Sequence, residues 1–106
     1  MNRQEALQAI AEYRRQIDEV DRELVRLLNE RTRIVEQLGR VKEQLQMPVY
    51  EPKREDEVFR NIQSCNHGPL PPDALQRLFE RIVDEMRTLQ RMNRESRNRR
   101  DGAAAE

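Results

Sequence analysis

A chain of 106 residues with 36% hydrophobic content, two Phe, two Tyr and no Trp cannot fill a large isolated core, so burial has to come through long seams and a partner. Its 20 basic and 20 acidic residues cancel, which removes any overall electrostatic bias toward nucleic acid or anionic membrane and makes any basic site a local one. Cys65 stands alone, which excludes an internal disulfide and a cysteine-cluster metal site. With no run of about 18 apolar residues and no apolar segment behind a basic N-terminus, the expectation is a single cytoplasmic domain.

The first predicted element runs from about residue 5 to residue 46 and is one unbroken helical pattern. Every third or fourth position reads Ile10, Tyr13, Ile17, Val20, Leu24, Leu27, Arg31, Ile34, Leu38, Val41, Leu45, a heptad-like seam with charged residues on the other faces. No proline interrupts it before Pro48. About 40 residues at 1.5 Å each make a rod roughly 60 Å long, whereas a compact chain of about 100 residues is only some 35 Å across. The helices that follow can cover part of this seam, and a second copy of the chain is the expected cover for the rest.

Met47-Pro48-Val49-Tyr50 reads as an extended connector, because the residue before a proline is pushed out of the helical region. A second helix is predicted from Glu51-Pro52, with Pro52 suited to the first helical position and an inward stripe of Glu51, Glu55, Val58 and Ile62, with Phe59 alongside. Asn-His-Gly-Pro-Leu-Pro-Pro over residues 66–72 is turn chemistry, with Gly68 placed as a helix C-terminal cap. The third helix is predicted from Pro72 or Asp73, burying Leu75, Phe79, Ile82, Val83, Met86, Leu89 and Gln90. Apolar periodicity ends near Asn93, which sets the domain at residues 1–93 and a disordered polar tail at 94–106.

Polar residues on apolar faces carry the chemistry, because a buried charge needs a partner. Arg31 sits in the first seam. Lys42 follows eleven residues later, three turns on and about 20° round, so the two cations project from one face about 16 Å apart along the axis and their side chains can close on one small anion. Arg14 lies about 25 Å from Arg31 on a straight helix, so it can join that site only from the other chain of an antiparallel pair. Gln90 continues the line Phe79, Val83, Met86 on the third helix and aims an amide inward. With Glu51, Arg54 and Glu55, these groups suit a small dianion that also carries a hydroxyl.

Five segments resemble the all-helical chorismate mutases, in order and with matching spacing. They are Ile17-Asp18-Glu19-Val20-Asp21-Arg22-Glu23-Leu24, Leu27-Leu28-Asn29-Glu30-Arg31, Gly39-Arg40-Val41-Lys42, Pro48-Val49-Tyr50-Glu51-Pro52-Lys53-Arg54-Glu55, and Leu78-Phe79 through Leu89-Gln90. The resemblance covers roughly residues 7–91 and implies an all-α fold, three helices per chain in an intertwined homodimer, with no cofactor and no metal. It also implies roles. Arg31 and the second chain's Arg14 clamp the two carboxylates of chorismate, Lys42 and Gln90 donate to the ether oxygen, Glu55 holds the ring hydroxyl with Glu51 nearby, and Arg54 completes the charged wall. Two positions depart from the commonest family pattern: Glu51 stands where an aspartate is frequent, and Met86 stands where a small hydroxyl residue often binds substrate. A shikimate-pathway enzyme as partner is compatible with this resemblance.

Two other readings remain open on the residues alone. An isochorismate pyruvate lyase shares the fold and many charged positions, although the Pro-Val-Tyr-Glu-Pro-Lys-Arg-Glu connector is closer to the mutases. A helical dimerisation or adaptor module would use Arg31 as a polar residue that fixes register. It leaves the placement of Lys42, Glu55 and Gln90 without a reason.

Overall fold

The computed structural model describes residues 1–105 as three helices: α1 (Arg3–Gln44), α2 (Pro52–Cys65) and α3 (Pro72–Ala105). No helix among the described residues is long and apolar enough to cross a membrane. The chain divides into two compact units, Met1–Ile34 and Val35–Glu106.

The first unit is the N-terminal part of α1. The helix starts earlier than its apolar period does, because Asn2 caps it. The backbone N–H of Glu5 donates to Asn2 Oδ1 (2.8 Å), and Asn2 Nδ2 donates to Glu5 Oε1 (3.0 Å). Exposed pairs along one face reinforce the helix: Arg15 bonds Glu12 and Glu19, and Arg26 bonds Glu23 and Glu30. Each such pair contributes only a few tenths of a kcal/mol. The Arg26 fork holds the Glu23 carboxyl below its usual range, and Arg15 does the same for Glu12. On the apolar seam, Tyr13 is 65% exposed and Val20 60%. A stripe this hydrophobic is stable in water only when something covers it.

The second unit begins with the last turns of α1, where Val35, Gly39 and Lys42 are buried. Within the unit, the seam members Leu38, Val41 and Leu45 are exposed, and the buried line is the adjoining one. Gly39 lies on this line opposite Gln90, where an added Cβ would meet Gln90 Cγ at 3.6 Å, an ordinary van der Waals contact, so the position has room for an alanine.

α1 ends in a Schellman turn. Met47 N–H donates to Lys42 O (2.8 Å) and Gln46 N–H to Glu43 O (3.0 Å), with Gln46 in the left-handed region at φ 56°. A residue with a Cβ is strained in that conformation by about 1–2 kcal/mol. Gln46→Gly is therefore expected to stabilise the protein by about 0.5–1 kcal/mol after the added chain entropy of glycine is subtracted. A thermal midpoint raised by a few degrees at fixed protein concentration would show it; an unchanged or lowered midpoint would contradict it.

The connector leads to α2, whose cap residue Glu51 makes no side-chain cap bond and is followed by Pro52 at the first turn. α2 packs on α3. The expected stripes are the ones turned inward: Val58, Phe59 and Ile62 on α2, and Leu75, Phe79, Ile82, Met86 and Leu89 on α3, are half-buried around the buried Val83. Gly68 does not cap α2. Asn66 does, with its N–H on Gln63 O (3.2 Å), while its side chain spans the loop by accepting from Gly68 N–H (3.0 Å) and donating to Leu70 O (3.0 Å). Gly68 lies two residues further on, at φ 76°, a conformation only glycine adopts without strain.

α3 does not stop where its apolar periodicity stops. Where the sequence reading expected a disordered tail from residue 94, the helix runs on to Ala105, and its Arg94 and Arg97 reach back to residues at the end of α1 and in the connector. Glu106 lies outside the described residues.

Candidate active site

Lys42 is the centre of the second unit's polar chemistry. Its side chain is 4% exposed, and its Nζ lies 2.7 Å from Glu51 Oε1, 2.9 Å from Val49 O and 3.3 Å from Gln90 Oε1. An ammonium has three donors, and here each has an acceptor from a different element: the connector, the cap of α2 and the middle of α3. Burying a lone ammonium would cost several kcal/mol, and the Glu51 carboxylate offsets that by supplying the countercharge. The position of Lys42 follows from the buried line Val35, Gly39, Lys42 on α1. Gln90 follows from its place on the inward face of α3. Because Gln90 turns its oxygen to Lys42, its amide N–H groups are left to donate elsewhere.

Glu55 forms a second cluster one turn into α2. Arg87 grips it as a fork, with Nε on Oε2 (3.0 Å) and Nη2 on Oε1 (2.8 Å), while Nη1 lies 3.3 Å from Asp84. The guanidinium sits 5.0 Å from the centroid of the Tyr50 ring, within range of a cation–π contact. The Glu55 bonds hold the Arg87 pKa above its usual value. A fork of this kind fixes the carboxylate plane.

The sequence-predicted residues separate by unit. Lys42, Gln90 and Glu51 are brought together, and Glu55 is held nearby in sequence by Arg87. Met86 is half-buried on the inward face of α3. Arg54 pairs with Glu57 (3.1 Å) on the exposed side of α2. Arg14 and Arg31 belong to the first unit, Arg14 exposed and Arg31 half-buried. Arg87 and Val49 were not singled out from the sequence. Arg87 had a signal, because Val83, Arg87, Gln90, Arg94 and Arg97 follow the helical spacing of four, three, four and three. The carbonyl of Val49 had none.

A groove of about 390 Å³ lined by Asn61, Ile62, Cys65, Asn66, Leu75 and Phe79 lies where α2 ends and α3 begins. It shares no residue with the Lys42 and Glu55 clusters and carries no charge, so it offers nothing to a small dianion.

Residues 13–91 match the sequence family described as chorismate mutase type II. The chain is 40% identical over 79 residues to a bifunctional chorismate mutase/prephenate dehydratase of Neisseria gonorrhoeae, covering 74% of this chain and 21% of that protein. It is 26% identical over 86 residues to a chorismate mutase of Methanocaldococcus jannaschii, covering 80% of this chain and 87% of that protein. A bifunctional protein of the same description from Aquifex aeolicus is 32% identical over 89 residues, and this chain spans 25% of its length. Among solved structures, chorismate mutase (form II) from Thermus thermophilus superimposes with a TM-score of 0.76 at 37% identity, covering 78% of this chain and 94% of that one.

Proposed function

Because the chain belongs to the type II chorismate mutase family, we propose that it rearranges chorismate to prephenate, the branch step toward phenylalanine and tyrosine. The reaction is intramolecular and asks little of the protein beyond holding a compact conformer and stabilising negative charge on the ether oxygen as its C–O bond breaks. The observation that carries the reading is the buried Lys42 beside Gln90, two donors fixed in advance of the substrate.

In this reading Lys42 Nζ and the Gln90 amide N–H donate to the ether oxygen. Lys42 has no donor to spare in the arrangement described, so substrate takes one now given to protein. Glu51 is the acceptor that yields most readily, because its side chain is 33% exposed and makes no cap bond on α2. Glu55, held by Arg87, receives the ring hydroxyl. Met86 lacks the hydroxyl common at this position, which weakens substrate affinity without touching the ether contacts. Arg31 takes one carboxylate and Arg54 completes the charged wall.

Arg14 serves from a second copy of the chain. Its distance from Arg31 along α1, about 25 Å, is too great for one small molecule, so each site borrows this residue across a homodimer. The exposed seam of the first unit supports that assembly, since residues such as Ile17, Val20 and Leu24 are each more than half exposed in the single chain. The working location is the cytoplasm.

The direct test is loss of chorismate absorbance with purified protein and identification of the product. Prephenate as sole product is the expected outcome. Release of pyruvate from isochorismate without prephenate formation would instead establish a lyase, and no turnover of either would leave a helical pairing module.

A further inference from the structure

The α3 segment past the family-matched residues 13–91 carries arginines at the spacing that keeps them on the line of Val83, Arg87 and Gln90. Two of them reach residues that build the surroundings of Lys42. Arg94 Nη1 donates to Met47 O at 2.9 Å, and Arg97 Nε donates to Glu43 Oε2 at 2.6 Å with both side chains about three-quarters buried. Met47 and Glu43 are the residues of the Schellman turn whose backbone groups close on either side of Lys42: Met47 N–H bonds Lys42 O, and Glu43 O receives Gln46 N–H. Two residues beyond Met47, the carbonyl of Val49 holds the Lys42 ammonium. The residue 43–49 turn is thus gripped at its start by Arg97 on Glu43, at its middle by Arg94 on Met47 O and at its end by Lys42 on Val49 O.

We propose that Arg94 and Arg97 are positioning residues for Lys42, holding the residue 43–49 turn so that Val49 O and the end of α1 fix the ammonium for the rearrangement. The proposal rests on the chorismate mutase reading. The physical need is plain. The connector contains a strained Gln46 and has no regular structure after Met47, so its backbone is free to shift unless side chains from elsewhere hold it. A bond from a guanidinium to a carbonyl, and a second to a carboxylate, are the stronger, charge-assisted kind. Displacement of a catalytic donor by about 1 Å reduces rate by as much as about 100-fold.

The test uses the full chain with Arg94→Ala, Arg97→Ala, Arg94→Lys and, as a control for lost charge, Arg99→Ala at an exposed site. Chorismate turnover and hydrogen exchange of the residue 43–51 amides are measured on each. Arg94→Ala and Arg97→Ala are expected to lower kcat by about 10- to 100-fold with KM within about twofold, and to speed connector exchange about tenfold. Arg94→Lys, which can still donate to Met47 O, recovers part of kcat, and Arg99→Ala matches the unaltered chain. In a Lys42→Ala background the two alanine changes have no further effect on rate, because they act through the missing ammonium. Unchanged connector exchange overturns the pin itself. A rate loss of the same size with or without Lys42 overturns positioning in favour of general stability. If the unaltered chain leaves chorismate intact, the functional reading fails, and the exchange data still report on the pin separately.

Discussion

Lys42→Ala is expected to lower kcat about 100- to 1000-fold while the protein stays helical. The size comes from the cost of removing one preorganised donor from a water-poor site, about 3 to 4 kcal/mol of transition-state stabilisation. The donor is preorganised because Val49 O, Gln90 Oε1 and Glu51 Oε1 already hold it in place before substrate arrives. Truncation also leaves Val49 O and the Gln90 oxygen without their donor, at about 1–3 kcal/mol of folding stability for a buried acceptor. Activity must therefore be compared well below the melting transition of the variant, with far-ultraviolet circular dichroism recorded on the same sample. Turnover within a few-fold of the unaltered chain would remove Lys42 from the chemistry. The change should act on kcat more than KM, because the charge that Lys42 answers develops on the ether oxygen only as the bond breaks.

A mixture of two inactive variants should regain activity. Arg14→Ala chains lack the arginine they lend, and Lys42→Ala chains lack the ammonium they keep, so in a heterodimer one site has both defects and the other has neither. With free exchange of subunits, half of the dimers are mixed and half of their sites are intact, giving about a quarter of the unaltered activity per chain. Each variant alone should retain about 1% or less, from the same donor arithmetic. Exchange has to be verified, for instance by mass spectrometry of chains of two isotopic compositions. Activity that stays at the sum of the two separate variants after exchange would place Arg14 outside the site.

Much of this arrangement can be read from the residues because period and punctuation agree. The prolines at 48, 52 and 72 and the turn-forming residues 66–72 mark where helices end and begin, and the apolar spacing of α2 and α3 names the residues that face inward. Gln90 stands out because it continues the line Phe79, Val83, Met86, and Lys42 because it projects from the same face of α1 as Arg31, three turns on. Three features escape such reading for physical reasons. The start of α1 is set by the Asn2 and Glu5 side chains, which have no hydrophobic period. The face of α1 that turns inward near Val35 depends on what packs against it, which is a property of the packed chain and not of the helix alone. The helix past Asn93 is held by arginines bonding a carbonyl and a carboxylate, so apolar spacing alone ends it too early.

The bare stripe over residues 10–27 of the first unit also governs how the protein is made and kept. A helix of this kind has little reason to persist alone in water, since isolated helices gain most of their stability from what they pack on. In the proposed homodimer, association and folding of that segment are then one event, with no reservoir of finished single chains. Melting temperature should climb with protein concentration, and the proposed chorismate turnover should fall away on dilution, since both then follow the mass action of that pairing.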